Sequence, residues 1–86
     1  GKNTSRFGED GPRALHDLPP TVRNEVPRLS VSFLVFSSQP EDRMVTINGK
    51  RMREGEEVSE GLRLEEITPD GVILNWRGTQ FHKGVF

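Results

Sequence analysis

The side chains able to do chemistry are few and scattered along the chain. His16 and His82 are the only imidazoles and there is no cysteine, so a shared metal would need carboxylates that no ligand spacing brings to them. No metal site and no cofactor is expected. Ser30, Ser32, Ser37, Ser38 and Ser59 lack a G-x-S-x-G context, and no His with an adjacent acid is positioned to activate one of them. Glu65 and Glu66 are neighbours on an expected strand and so point to opposite faces, the wrong geometry for a carboxylate pair sharing a substrate. Arg43, Lys50, Arg51 and Arg53 form a basic cluster, but Glu54, Glu56, Glu57 and Glu60 follow at once and can pair with it across the turns, which reads as a salt-bridged surface. Trp76 has the ring to stack on a sugar or a peptide, yet it shares a face with Val72 and Leu74 and belongs to the core. The glycine turns carry no phosphate loop, because neither opens a helix. The residues describe a protein that is not an enzyme.

Composition narrows the class further. At 86 residues with a formal charge of −1, the chain is one domain at most and has no electrostatic reason to meet nucleic acid. Hydrophobic content is 31%, and much of the polar excess lies early, so the core must come from the later residues and will be thin. Oligomerisation is a natural supplement to so small a core. No apolar run is long enough to span a bilayer, and the missing initiator Met reads as a fragment whose anchor lies elsewhere.

The elements that must position any site are organised around Leu62 to Phe81. Leu62 and Leu64 share one strand face, Val72, Leu74 and Trp76 share another, and Thr68-Pro69-Asp70-Gly71 joins them as a hairpin. Ile67 breaks the alternation, which predicts a bulge just before the turn. Gly71 is expected at positive φ, as is Gly49 in the Asn48-Gly49 turn that sends Lys50 to Arg53 back antiparallel to Met44 to Ile47. Gly78 suggests another bulge, after which Thr79 to His82 continues with Phe81 inward. Upstream, residues 1–17 read as a flexible linker, one helical turn fits Thr21 to Val26 after Pro20, and residues 83–86 read as a frayed end, leaving 18–82 as the domain.

Leu29 to Phe36, LSVSFLVF, starts as an alternating strand with Leu29, Val31, Phe33 and Val35 inward and Ser30 and Ser32 outward, but Leu34 and Phe36 make its far half apolar on both faces. As the first strand after a mobile segment it is expected at a sheet edge, where unpaired backbone and outward side chains suit strand addition by a partner. The candidate partner-binding residues are therefore Ser30, Val31, Ser32, Phe33, Leu34, Val35 and Phe36.

Two words of sequence, Ile47-Asn48-Gly49 with Glu54-Gly55, and Leu64 followed by Ile67-Thr68-Pro69-Asp70-Gly71-Val72 and Leu74, occur in order and at a fixed separation. Together they resemble the C-terminal periplasmic domain of the type II secretion system B component, the GspB, ExeB, OutB or PulB family, over about Leu18 through Phe81. The resemblance implies a small all-β fold, an antiparallel two-sheet β-sandwich or partly open barrel related to the GspC homology region and to pilus lipoprotein P. It also implies a bacterial inner-membrane-anchored protein whose periplasmic domain binds the secretin's periplasmic N-terminal domains and helps assemble the secretin, together with a GspA-type ATPase. Weak homodimerisation is a further expectation, and a peptidoglycan-binding or other cell-wall-binding module is the alternative. The family carries no catalytic residues.

Overall fold

The computed structural model describes residues 12–85. Among these residues eight strands form two sheets: β1 (Arg13–Ala14), β8 (Thr79–Gly84), β7 (Gly71–Trp76), β6 (Leu62–Thr68) and β5 (Glu57–Ser59) in that order in the larger, and β2 (Val31–Val35), β3 (Met44–Ile47) and β4 (Lys50–Met52) in the smaller. The all-β two-sheet architecture is the expected one. A single helical turn, α1 (Pro20–Arg23), precedes β2, with proline at its start where a missing N–H costs nothing.

The core lies between the sheets. Val31, Val45, Ile47 and Met52 from the smaller sheet meet Leu62, Leu64, Ile67, Val72, Leu74, Trp76 and Phe81 from the larger, and Leu18 closes one end. Strands β6, β7 and β8 are consecutive and antiparallel, so local contacts build most of the larger sheet. The bulge expected beside Ile67 is present: pairing skips Glu65, since Leu64 lies opposite Leu74 and Glu66 opposite Ile73. That single insertion moves Ile67 onto the same buried face as Leu62 and Leu64.

The turns correct two expectations. Asn48 (φ 54°) and Gly49 (φ 82°) make the left-handed pair that an Asn-Gly hairpin requires. Gly71 does not take positive φ; Pro69 and Asp70 alone span the turn between the paired residues Thr68 and Gly71. Glycine is needed there for a different reason, because a Cβ on Gly71 would lie 2.3 Å from the Lys83 carbonyl oxygen of β8. Gly78 is not a bulge either: with Arg77 (φ 49°) it forms a two-residue turn, and Trp76 pairs directly with Thr79.

The ends of the domain reach further than sequence suggests. Of the span read as linker, residues 1–11 lie outside the described residues, while Arg13 and Ala14 pair in parallel with Phe81 and His82, followed by a 3₁₀ turn over Leu15–Asp17. Lys83 and Gly84, read as frayed, continue β8 opposite Val72 and Gly71; Phe86 lies outside the described residues. Both extensions depend on pairing with remote strands, which local composition does not reveal.

Gly71→Ala should therefore cost about 2 kcal/mol by pressing a methyl group into the β8 backbone, against about 1 kcal/mol for Gly49→Ala, which meets open space and suffers only from positive φ. Urea melts of both variants check the order. Equal midpoints for Gly71→Ala and the wild type would remove the close-approach argument.

Candidate functional site

The first strand of the smaller sheet carries the candidate site. β2 pairs with β3 on one side and, among the described residues, with no strand on the other, so it is an edge. Its entry is fixed by Asn48, whose Oδ1 accepts from the Ser30 N–H (2.8 Å), whose Nδ2 donates to the Arg28 carbonyl (3.0 Å), and whose own N–H donates to the Ser30 carbonyl (2.8 Å). Ser30 thus spends its backbone groups on the β3 side. Alternation in an antiparallel ladder then turns those of Val31 toward the free edge.

The expected inward face breaks midway. Val31 lies opposite Ile47 and Ser32 opposite Thr46, but the next pair is Val35 with Met44, so the register shifts between Ser32 and Val35. At that shift Phe33 sits at φ 49°. A bulky residue in left-handed backbone costs about 1–3 kcal/mol, and the surrounding pairing must supply it. The consequence is a reversal of faces: Leu34, expected outward, packs half-buried against the core, whereas Phe33 and Val35, expected inward, are 82% and 49% exposed. Phe36 beyond them is 42% exposed. Val31 stays fully buried, Leu29 packs partly buried against the core, and Ser30 and Ser32 flank the edge as exposed and half-buried polar residues.

Arg43 holds the far end of this edge. Its Nε donates to the Ser37 carbonyl (2.7 Å), its guanidinium lies over the Phe36 ring (4.6 Å to the centroid), and its Nη1 donates to Glu54 Oε2 (3.0 Å). The same Glu54 oxygen accepts the Ile67 N–H at 2.8 Å, so one carboxylate ties the β2–β3 loop to the bulged strand of the other sheet. Within the basic and acidic clusters, Arg43 with Glu54 is the ion pair among the described residues, and Arg53 instead donates from Nη1 to the Glu41 carbonyl and from its backbone N–H to Glu56 Oε1.

The other chemistry-bearing residues fall elsewhere. Trp76 is buried in the core with the Arg77 guanidinium 4.6 Å above its ring, which leaves no open face for a sugar. His16 and His82 line one cavity, but among the described residues no group of three potential metal ligands gathers. Thr68 Oγ1 donates to Asp70 Oδ1 (3.1 Å) and His82 Nε2 lies 3.4 Å from that oxygen, so the hydroxyl faces the acid and not the imidazole that would have to take its proton. The positive φ of Phe33 and the bridging role of Glu54 were both missed by sequence reasoning. Neither residue type signals it, although the failed alternation after Ser32 marked the place.

The family model described as Type II secretion system protein B matches residues 26–84. The chain is 42% identical over 57 residues to the General secretion pathway protein B of Dickeya dadantii (strain 3937), covering 66% of this chain and 26% of that protein. It is 43% identical over 61 residues to the protein of the same description from Aeromonas hydrophila, covering 71% and 27%. The chain thus spans about a quarter of the length of the curated relatives it matches. The crystal structure of Dickeya dadantii GspB from the type 2 secretion system superposes with a TM-score of 0.63 at 40% identity, covering 66% of this chain and 68% of that one.

Leu34→Asp should destabilise the domain by about 3 kcal/mol, since the carboxylate is forced against the core, while Phe33→Asp should change stability by less than about 1 kcal/mol because Asp tolerates left-handed backbone in the open. Circular dichroism melts decide it, and a folded Leu34→Asp beside an unfolded Phe33→Asp would restore the simple alternating strand. Glu54→Ala should cost about 1–3 kcal/mol by orphaning the Ile67 N–H and the Arg43 guanidinium. Hydrogen exchange at the Ile67 amide should rise in that variant, and an unchanged rate would show that the inter-sheet tie is dispensable.

Proposed function

The chain belongs to the type II secretion system protein B family, and from that premise we propose that it is a non-enzymatic protein–protein interaction module whose β2 edge accepts a strand from another component of the system. The partner is the outer-membrane secretin, through its periplasmic N-terminal domains, and binding helps the secretin assemble or stay assembled. In this reading the domain works on the periplasmic side of a bacterial inner membrane, with a GspA-type ATPase acting alongside it.

The observation that carries the reading is Phe33, 82% exposed on a left-handed bulge of an edge strand. A free domain gains nothing by holding an aromatic ring in water at a strained backbone position. A partner strand laid along β2 would bury that ring and Val35, and would satisfy the outward backbone groups at the same time. Side-chain pockets then supply specificity and the backbone supplies affinity. A cell-wall ligand has less to use, since the indole suited to sugar stacking is buried.

Phe33→Asp combined with Val35→Asp should leave the fold intact and weaken binding to purified secretin N-terminal domains by at least about tenfold, as a charge meets an apolar pocket. Calorimetric titration measures it, with a peptidoglycan pull-down in parallel. A double variant that binds the secretin as the wild type does would refute the edge, and retention on peptidoglycan without secretin binding would replace the function.

A further inference from the structure

Asn48 serves the fold twice. It is the first left-handed residue of the β3–β4 turn, and its carboxamide reaches out of that turn to the chain entering β2, where Oδ1 accepts the Ser30 N–H at 2.8 Å and Nδ2 donates to the Arg28 carbonyl at 3.0 Å. Residues 27–30 belong to no helix or strand. They are fixed by these two bonds, by the Asn48 N–H on the Ser30 carbonyl (2.8 Å) and by the packing of Leu29 on the core.

The residue that follows makes the same carboxamide reactive. A backbone nitrogen can attack the side-chain carbonyl carbon of the asparagine before it when no side chain shields that nitrogen. Asn48 and Gly49 are both exposed, and a Cβ on Gly49 would meet nothing within 4 Å. In the step the Gly49 nitrogen loses its proton and bonds to the Asn48 Cγ, the Cγ–Nδ2 bond breaks, and Nδ2 departs with that proton as ammonia. The cyclic imide then takes up a water, which opens it at either carbonyl to an aspartate or an isoaspartate. Nothing is oxidised or reduced. Asn3, Asn24 and Asn75 are followed by Thr4, Glu25 and Trp76, whose side chains hinder the same closure.

The fold opposes the reaction that the sequence invites, because both side-chain hydrogen bonds of Asn48 must break before its Cγ can turn onto the Gly49 nitrogen. We propose that Asn48-Gly49 is a site of spontaneous deamidation held in check by the bonds to Arg28 and Ser30, and that its conversion frees the entry of β2. A carboxylate has no donor, so an oxygen in the place of Nδ2 would face the Arg28 carbonyl oxygen, acceptor against acceptor. Isoaspartate goes further: it routes the backbone through the side chain, lengthens the two-residue turn and spoils the register of Ile47 with Lys50. The inference rests on this clamp and on no partner of β2, so it stands or falls apart from the proposed function.

The test follows residue 48 by peptide mapping of the 86-residue chain, which separates the asparagine, aspartate and isoaspartate forms, in mildly alkaline buffer with and without denaturing urea. In urea Asn48 should convert faster than Asn24 and Asn75, and Gly49→Ala should slow it. In the native chain its conversion should be at least about tenfold slower than in urea, since two hydrogen bonds must open first. Equal native and unfolded rates, or no preference for Asn48 in urea, would overturn the site. Asn48→Asp reads the consequence: aspartate tolerates left-handed backbone and Asp-Gly suits the same turn, so the chain should stay folded. Hydrogen exchange at the amides of Ser30 and of residue 48 should rise several-fold in that variant, with a smaller rise at Leu74, which lies in β7 between two partner strands. Unchanged exchange at Ser30 and residue 48, or an equal rise at Leu74, would refute the local release of β2.

Discussion

A two-sheet domain of this size has one interior, and each strand has only alternate residues to give it. The constraint that governs the rest is that the pairing register, not strict alternation, decides which side chains reach that interior. Strand β6 meets it with the bulge at Glu65, which lets Leu62, Leu64 and Ile67 all point inward. Strand β2 meets it with the register shift after Ser32, which sends Val31 and Leu34 inward. The two bulges have opposite surface consequences. In β6 the residues displaced outward are Glu65 and Glu66, at home near water; in β2 they are Phe33 and Val35, which are not. The apolar edge is thus exposed by the register shift in a strand whose far half is apolar throughout.

Those bulges need holding, and one carboxylate does much of it. Glu54 accepts from the Ile67 N–H just after the β6 bulge and from Arg43, whose guanidinium in turn caps Ser37 and covers Phe36 at the end of β2. The pair is largely shielded from water, at 15% and 20% side-chain exposure, so its geometry matters more than that of a surface ion pair. The same contact that closes the two sheets therefore also sets the pose of the Phe36 ring at the candidate edge. Structure and site are coupled through it.

How much of this sequence could be read in advance follows the range of the interactions. The Asn48-Gly49 hairpin, the β6–β7 hairpin with its bulge, the inward Phe81 and the core place of Trp76 are all set within a few residues of themselves, and all were legible. Gly71 shows where locality ends: the turn motif suggested positive φ, but the demand for glycine comes from the Lys83 carbonyl on another strand. The faces of Phe33, Leu34 and Val35 were misassigned for the same reason, because the register shift is imposed by pairing with Met44 and Thr46. The strand at Arg13–Ala14 exists only because β8 has an edge to receive it. That the Leu29 to Phe36 segment forms an edge strand was legible, and the side chains it presents could not be chosen without the register.

Edges offer one more step. The larger sheet ends at β1 and β5, the smaller at β2 and β4. Charge marks three of the four: Arg13 on β1, Glu57 on β5, and Lys50 and Arg51 on β4, all exposed. A charged residue on an edge discourages another strand from adding, since pairing would strip its water. Strand β2, with the sequence VSFLV, has none. It is also the only long one of the four, five residues against two or three, and so presents the most backbone to a partner. Shortness and charge protect the other edges from indiscriminate pairing, and the positive φ at Phe33 interrupts β2 enough to defeat a flat, generic strand. Under the proposed strand addition, β2 would admit a strand only if that strand also accommodated the kink and the ring, so the register shift would restrict which partner docks.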